Sequence, residues 1–327
     1  MENPTDFASR IDLSGLRAAA DRVRTELHRI IVGQDEMVEL LLAAVLADGH
    51  VLIEGVPGVA KTLTARLLAR TISVGFSRIQ FTPDLMPSDI LGTSVFNPKT
   101  TDFDFKRGPV FSNLVLVDEV NRAPAKTQSA LFEVMEERQV TVDGQTFAMA
   151  PPFLVFATQN PLEHEGTYRL PEAQLDRFLF KIDVGYPSEE EEVRILEGHH
   201  AGRDPRHAAE RVQPVLTAAQ VADAQHKTRQ VHAEAPLLRY VARLVHQTRN
   251  HPALYLGASP RASLALMNGA KAVAALQGRD FITPEDVQRV AFPVLRHRLL
   301  LAPEHEMEGR RPDDVIRRIL EQVDVPR

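Results

Sequence analysis

The chain has 327 residues, of which 44% are hydrophobic and 25% are charged, as in an ordinary globular protein of one large or two smaller domains. It contains no cysteine, which excludes disulfides, thiolate metal sites and cysteine nucleophiles. The formal net charge is −6, so composition gives no electrostatic case for general binding to DNA or to a membrane surface.

The sequence pattern also disfavours membrane and secreted proteins. The longest fully apolar run, Leu40–Ala47, is too short to span a bilayer. The N-terminus carries no signal-peptide pattern, and the 12 histidines show no His-Glu-x-x-His pairing. We therefore expect a cytoplasmic protein without a membrane span.

The chain divides by its pattern into four segments. Residues 1–28 predict an N-terminal helical arm, and residues 29–185 alternate strand-like and helix-like stretches. Such alternation is typical of a parallel sheet with helices on both faces. Residues 186–193 predict a linker, and residues 194–327 predict a small all-helical domain because strand signals disappear there. The predicted strands are Val51–Glu54, Ser77–Phe81, Leu114–Asp118, Phe153–Thr158 and Phe178–Asp183.

A loop of small residues follows the first predicted strand and precedes a helical pattern. This order is typical of a phosphate-binding loop, in which backbone N–H groups cradle phosphate oxygens. Lys61 can reach the β- and γ-phosphates, and the Thr62 hydroxyl can ligate Mg²⁺. Ala60 stands where glycine is usual, and we expect it to be tolerated unless that position needs a positive φ. The predicted nucleotide-binding residues are Gly55, Val56, Pro57, Gly58, Val59, Ala60, Lys61, Thr62 and Leu63.

An uninterrupted apolar run ends in two carboxylates, Asp118 and Glu119. Such a run predicts a buried parallel strand, and ligands bind at the carboxyl ends of these strands. Asp118 can hold Mg²⁺ through its water shell, and Glu119 can deprotonate an attacking water. The alternative, a solvated acidic turn, is disfavoured by the phosphate loop upstream.

Two later segments complete the pattern of the core. Gln139–Gln145 alternates apolar and polar residues up to an Asp-Gly turn, which predicts a hairpin. Asn160 closes another apolar strand, where it could hydrogen-bond the γ-phosphate or the attacking water. The alternative is a simple Asn-Pro turn, since Pro161 follows.

Helix starts dominate the last third of the sequence. Ser188 with Glu191 fits a capping box, and Ser259 fits a helix cap just before Arg261. Arg177 lies just before the last predicted strand. An arginine delivered to a γ-phosphate stabilises transition-state charge, but the residues alone favour a surface charge or a local salt bridge for both Arg177 and Arg261.

Taken together, these motifs resemble the MoxR-type AAA+ ATPases, in a group that also contains magnesium-chelatase ATPase subunits and MCM helicases. The resemblance runs in the family's order from residue 31 to residue 262, and the Ala60 departure is usual in it. The matching stretches are Ile31–Gln34, Gly55–Thr62, Asp84–Gly92, Arg107–Phe111, Val117–Thr127, Ala157–Pro161, Gly166–Phe178 and Gly257–Ala262.

The resemblance implies an α/β P-loop NTPase core followed by a small all-α lid, with ATP and Mg²⁺ as cofactors. It makes Asp118 and Glu119 the Walker B pair and Asn160 sensor 1. It places Gly33 and Gln34 near the adenine.

The resemblance also assigns roles to the arginines. Arg177 would be an arginine finger that reaches a neighbouring subunit's nucleotide, with Arg169 as a second candidate. Arg261 would be sensor 2 on the lid, where response to the γ-phosphate would shift the lid against the core. Residues 93–111 would be the insertion of this AAA+ group and, like the hairpin at 139–147, would face a pore or a substrate.

The function implied is that of an ATP-hydrolysing homo-oligomeric ring, expected as a hexamer, that remodels partner proteins in complex assembly or metal-cofactor insertion. A separate von Willebrand factor A domain protein and a protein client would be its partners. The alternatives are a DNA-dependent motor, a magnesium-chelatase-type subunit and a nucleotide-gated scaffold. The hairpin tip Asp143–Gln145 is not basic, which counts against nucleic acid, and the intact Lys61, Asp118, Glu119 and Arg177 set counts against a scaffold.

Overall fold

A computed structural model of the chain describes residues 11–161, 166–202 and 210–326. Its centre is a five-stranded parallel sheet in the order β2-β5-β8-β1-β9. The strands are β1 His50–Gly55, β2 Phe76–Gln80, β3 Gly92–Asn97, β4 Asp102–Arg107, β5 Leu114–Asp118, β6 Gln139–Val142, β7 Gln145–Ala148, β8 Leu154–Gln159, β9 Phe178–Val184, β10 Leu254–Leu256 and β11 Leu300–Leu301. The five predicted strands are therefore confirmed, each to within one residue at either end.

Helices cover both faces of this sheet and make up most of the C-terminal part. They are α1 Ser14–His28, α2 Asp35–Ala47, α3 Lys61–Thr71, α4 Pro87–Leu91, α5 Ala125–Glu137, α6 Glu172–Leu175, α7 Glu189–His200, α8 Ala218–Arg229, α9 Ala235–Asn250, α10 Pro260–Leu276, α11 Pro284–Leu295, α12 Pro303–Met307 and α13 Pro312–Gln322. Successive residues of β5 enter opposite hydrophobic clusters, because side chains alternate across a strand: Leu114 and Leu116 enter one and Val115 and Val117 the other. Burial on both faces explains why this strand is an uninterrupted apolar run.

Two hairpins lie side by side on the surface. β3 pairs with β4, and β6 pairs with β7, where Asp143 and Gly144 both have positive φ as a tight two-residue turn requires. The Ser94 hydroxyl donates to the Asp143 carboxylate, and the rings of Phe105 and Phe147 stack at 4.7 Å. The predicted hairpin is confirmed, and a second hairpin occupies most of the predicted insertion at 93–111.

Among the described residues after β9, the regular elements are helices apart from the short β10–β11 pair. The Ser188–Glu191 capping box begins α7 at Glu189, so the second half of the predicted linker is helix. Helices α10 and α11 pack onto α2 and β9 within the same hydrophobic cluster that holds Val23 and Leu27 of α1. Residues 1–10 of the predicted arm lie outside the described residues, and the domain boundaries stay a prediction.

None of the helices in the described ranges is long and apolar enough to cross a membrane.

Candidate functional site

The phosphate loop connects β1 to α3 at the carboxyl edge of the sheet. Gly58 has φ +88°, and Ala60 has φ +59°. Position 60 therefore does need a positive φ, the one condition under which we expected alanine to be unfavourable there. A side chain in the left-handed region costs about 1–2 kcal/mol. Lys61 begins α3, and its ammonium donates to the Gly55 carbonyl at the start of the loop. The loop is thus closed on itself with its amides at a helix N-terminus, as a phosphate requires.

Oxygen atoms suited to a hard cation meet next to the loop. The Thr62 hydroxyl lies 3.2 and 3.4 Å from the two carboxylate oxygens of Asp118, and the Thr158 hydroxyl donates to the same carboxylate at 3.0 Å. Hydroxyl and carboxylate oxygens are the ligands that Mg²⁺ takes in nucleotide sites. Thr62 and Asp118 therefore fit Mg²⁺.

Two residues that sequence reasoning missed contact the acidic pair. Arg78 Nε donates to Asp118 Oδ2 at 2.6 Å, and Gln80 Nε2 donates to Glu119 Oε2 at 2.9 Å. Both lie on β2, which is the neighbour of β5 in the sheet. Their spacing of two residues puts them on one face of a strand, and this alternation was the only signal in the sequence.

Glu119 lies immediately after β5 in a strained conformation. Its φ is +57°, in the left-handed region that costs a residue with a Cβ about 1–2 kcal/mol. Its amide donates to the Thr158 hydroxyl at 3.1 Å, and its carboxylate also pairs with Arg122 Nε at 3.0 Å. Strain of this kind persists where surrounding bonds over-determine the backbone, often at functional sites.

A cavity of about 360 Å³ joins these groups. It lies where β1, β5 and β8 end side by side, and Asn160, just beyond β8, is nearly buried in its wall. Because β8 lies between β5 and β1 in the sheet, Asn160 reaches the same edge as Lys61 and Asp118. The lining residues are Pro57, Gly58, Val59, Ala60, Lys61, Thr62, Leu63, Arg78, Gln80, Asp118, Glu119, Thr158, Gln159 and Asn160.

Gly55 and Val56 line a second cavity instead. This space of about 430 Å³ is bounded by Gly185 after β9 and by Arg296 and Arg311 from the C-terminal helical part. Gln34 Nε2 lies 3.5 Å from the Gly185 carbonyl. Its neighbour Gly33 has φ +68°, and a Cβ there would lie 2.0 Å from Glu191 Oε1. The two residues predicted near the adenine thus lie beside the second cavity.

Arg177 and Arg261 lie elsewhere, and we call them the arginine pair. Their Nη2 atoms are 2.6 and 2.7 Å from the two carboxylate oxygens of Glu136, at the end of α5. Arg177 directly precedes Phe178, the residue of β9 that pairs with His50 at the start of β1. The arginine pair therefore lies at the amino edge of the sheet.

The length of the sheet separates the two groups of predicted site residues. The six residues of β1 at about 3.3 Å each span roughly 20 Å, far more than an arginine side chain reaches. Arg261 does not line the phosphate-loop cavity, so a lid shift driven through Arg261 by the protomer's own γ-phosphate is not supported. Arg169, the second finger candidate, is 81% exposed and 3.6 Å from Glu172.

Comparison with known proteins places this geometry in a family. Residues 50–180 match the model of the ATPase family associated with various cellular activities (AAA), and residues 246–319 match the AAA lid domain. A crystal structure of a predicted ATPase from Cytophaga hutchinsonii superposes with a TM-score of 0.88 at 41% identity, covering 96% of this chain and 97% of that one.

Several relatives match over nearly the whole chain. Chaperone MoxR1 of Mycobacterium tuberculosis is 48% identical over 94% of this chain and 82% of its own length. Protein YeaC of Bacillus subtilis is 48% identical over 92% of each chain, and protein MoxR of Methylorubrum extorquens is 31% identical over 96% and 97%. The ordered motifs, the parallel-sheet core and the helical lid thus agree with these matches, and the chain belongs to the MoxR family of AAA+ ATPases.

Proposed function

We propose that the chain is a Mg²⁺-dependent ATPase whose sites are completed between subunits of a ring, and that the ring remodels partner proteins. The observation that carries the proposal is the separation of the arginine pair from the phosphate loop. Each protomer holds both halves of a hydrolytic site, but at opposite edges of its sheet. A second copy that presents its arginine pair to the phosphate-loop cavity would complete one site.

The chemistry proposed for the carboxyl edge is phosphoryl transfer to water. The phosphate loop and Lys61 bind the phosphates, and Asn160 orients the attacking water. Glu119 accepts the proton of that water at a carboxylate oxygen. Gln80 and Arg122 now occupy this carboxylate, so Glu119 exchanges a bond to one of them for a bond to the water. Mg²⁺ held by Thr62 and Asp118 would neutralise phosphate charge.

Binding of the nucleotide base is proposed for the second cavity. It begins at Gly55, where the phosphate loop starts, and reaches the edge formed by Gln34 and Gly185. Its walls include Arg296 and Arg311 from the helical lid. The core and the lid of one protomer would therefore both contact the nucleotide.

The arginine pair would act on the nucleotide of the neighbouring subunit. A guanidinium at the γ-phosphate stabilises transition-state charge and is worth about 10³–10⁵ in rate. Two of them converge on one carboxylate, so this surface already binds an anionic group. A ring is the closed assembly in which every arginine pair meets a phosphate loop, and a hexamer is the size that the resemblance implies.

A protein is the proposed client. One near relative is named a chaperone. Near the tip of the β3–β4 hairpin, Phe96 and Phe103 pack edge to face at 5.4 Å while remaining 51% and 65% exposed. Exposed aromatic side chains suit contact with apolar segments of another protein. A von Willebrand factor A domain protein as adaptor follows from the resemblance alone.

The test is the ATPase rate per subunit against protein concentration, with mass measured by light scattering in the same samples, with Mg²⁺ and with excess EDTA. We expect a rate that rises with assembly and vanishes with EDTA. A concentration-independent rate in a confirmed monomer would contradict the shared site. DNA-stimulated turnover would favour the motor alternative.

A further inference from the structure

A buried guanidinium holds the segment that carries Arg177. Arg298 follows α11, and its side chain is only 3% exposed. Its Nε donates to Asp176 Oδ1 at 2.7 Å, and its Nη2 donates to the carbonyls of Asp176 at 3.1 Å and Phe178 at 2.6 Å. The residues on both sides of Arg177 are therefore fixed by one side chain from the C-terminal helical part.

The second carboxylate oxygen of Asp176 holds the segment that carries Arg261. The Ser259 hydroxyl donates to Asp176 Oδ2 at 2.9 Å. That hydroxyl also accepts from the Arg261 amide at 3.2 Å, which makes Ser259 the N-cap of α10. Asp176 thus connects the backbone positions of both members of the arginine pair.

The ion pair between Arg298 and Asp176 allows little movement of the segments that it connects. The Arg298 side chain is almost completely buried, and burial lowers its pKa while Asp176 opposes that shift. A buried guanidinium tolerates little displacement from its carboxylate, because its hydrogen bonds are directional and the alternative is an unpaired buried charge. The bonds to Phe178 and Leu179 carbonyls extend the same constraint into β9.

We propose that Asp176, Arg298 and Ser259 are positioning residues that hold Arg177 and Arg261 in register as one unit for a phosphate of the neighbouring subunit. Asp176 fixes the backbone at the base of each arginine, and Glu136 joins their tips. This inference rests on the proposed function, since it assumes that the arginine pair acts in trans. It also makes the lid and the amino edge of the core one rigid body.

The test uses Ser259→Ala, which removes one hydroxyl without leaving a buried charge unpaired. We expect ATP affinity and assembly to stay unchanged while kcat falls about tenfold to hundredfold, the cost of a slightly misplaced catalytic group. Ser259→Thr keeps the hydroxyl and should restore kcat. Thr217→Ala removes the comparable N-cap of α8, where the hydroxyl accepts from the Gln220 amide, and should leave kcat unchanged.

Mixed assemblies separate positioning from a general structural defect. A Ser259→Ala subunit keeps its own phosphate loop, so it should regain turnover beside a Glu119→Gln subunit that supplies an intact arginine pair. Unchanged kcat in Ser259→Ala would overturn the proposal. The proposal would also be overturned if Glu119→Gln subunits rescue the turnover of Arg177→Ala but do not rescue the turnover of Ser259→Ala. If Arg177→Ala is not rescued either, in mixed rings shown to form, the proposed function fails and the positioning proposal with it.

Discussion

At the scale of single residues, Ala60 and Glu119 in the wall of the phosphate-loop cavity both have a positive φ. Ala60 has φ +59°, a conformation that favours glycine. We predict that Ala60→Gly raises the free energy of unfolding by up to about 1 kcal/mol. Glycine removes the cost of holding an alanine in the left-handed conformation, but it loses more conformational entropy than alanine when the chain folds. Urea unfolding measures this change. Ala18→Gly, in the exposed face of α1, should instead cost about 1 kcal/mol. A loss in Ala60→Gly as large as that in Ala18→Gly would contradict the strain argument.

Glu119 is the other residue of the cavity wall with a positive φ, and its prediction concerns turnover. Glu119→Gln keeps the side-chain shape but cannot accept the proton of water, so we expect ATP binding with kcat lowered about 10²-fold or more. Nucleotide affinity and single-turnover hydrolysis measure the two effects. Glu304→Gln, on the exposed face of α12, is the matched control. Normal turnover in Glu119→Gln would remove Glu119 from the role of base.

At the scale of elements, Arg177 just before β9 and Arg261 at the start of α10 meet Glu136 of α5 at the amino edge. We predict that Arg177→Ala binds ATP normally and loses hydrolysis by about 10³-fold or more. Mixing it with Glu119→Gln subunits should restore turnover at the mixed interfaces, measured against the mixing ratio. Arg169→Ala tests the other finger candidate and should keep near-normal turnover. The reverse result for the two variants would assign the finger to Arg169.

The elements also show where sequence reasoning ends. The buried strands were predictable because burial on both faces leaves an uninterrupted apolar run. Lys61, Thr62 and Asp118 were predictable because each lies at a fixed distance from a strand end. The contacts of Arg78 and Gln80 were not, because they depend on which strands are neighbours in the sheet.

The arginines illustrate the same limit over longer distances. Glu136, Asp176 and Arg298 are separated by 40 and 122 residues along the chain. No local pattern connects them, so only the folded structure reveals that they surround one surface. The sequence resemblance predicted roles for Arg177 and Arg261, but it gave no reason for them to share a carboxylate.

At the scale of the whole molecule, buried histidines predict how stability depends on pH. His50 accepts from the Val155 amide at 2.9 Å and donates to the Met135 carbonyl at 3.1 Å. Burial, with a smaller contribution from Arg138, lowers the pKa of His50 from 6.5 to about 4. As the pH falls, His50 is therefore protonated in the unfolded chain before it is protonated in the folded protein. The free energy of unfolding consequently decreases between about pH 6.5 and pH 4.

The magnitude follows from the size of this shift. We predict that His50 makes the free energy of unfolding fall by roughly 3 kcal/mol between pH 7 and pH 4. Urea unfolding at several pH values measures it. His50→Gln can keep one donor and one acceptor without titrating, so its loss over this range should be smaller. Burial also lowers the pKa of His297, so a residual slope of the same sign should remain. Equal slopes in both proteins would contradict the assignment to His50.

The two half-sites at opposite edges of the sheet give each proposed subunit a direction. An open row of such subunits leaves a bare phosphate loop at one end and a bare arginine pair at the other, whereas a closed circle leaves neither. In the proposed ring, loss of Lys61 would stop hydrolysis in the subunit that carries the change, whereas loss of Arg177 would stop hydrolysis in the next subunit. The effect of a bound nucleotide would accordingly pass from subunit to subunit in one direction around the ring. Each subunit's arginine pair would contact the nucleotide of one neighbour and not the nucleotide of its own phosphate loop.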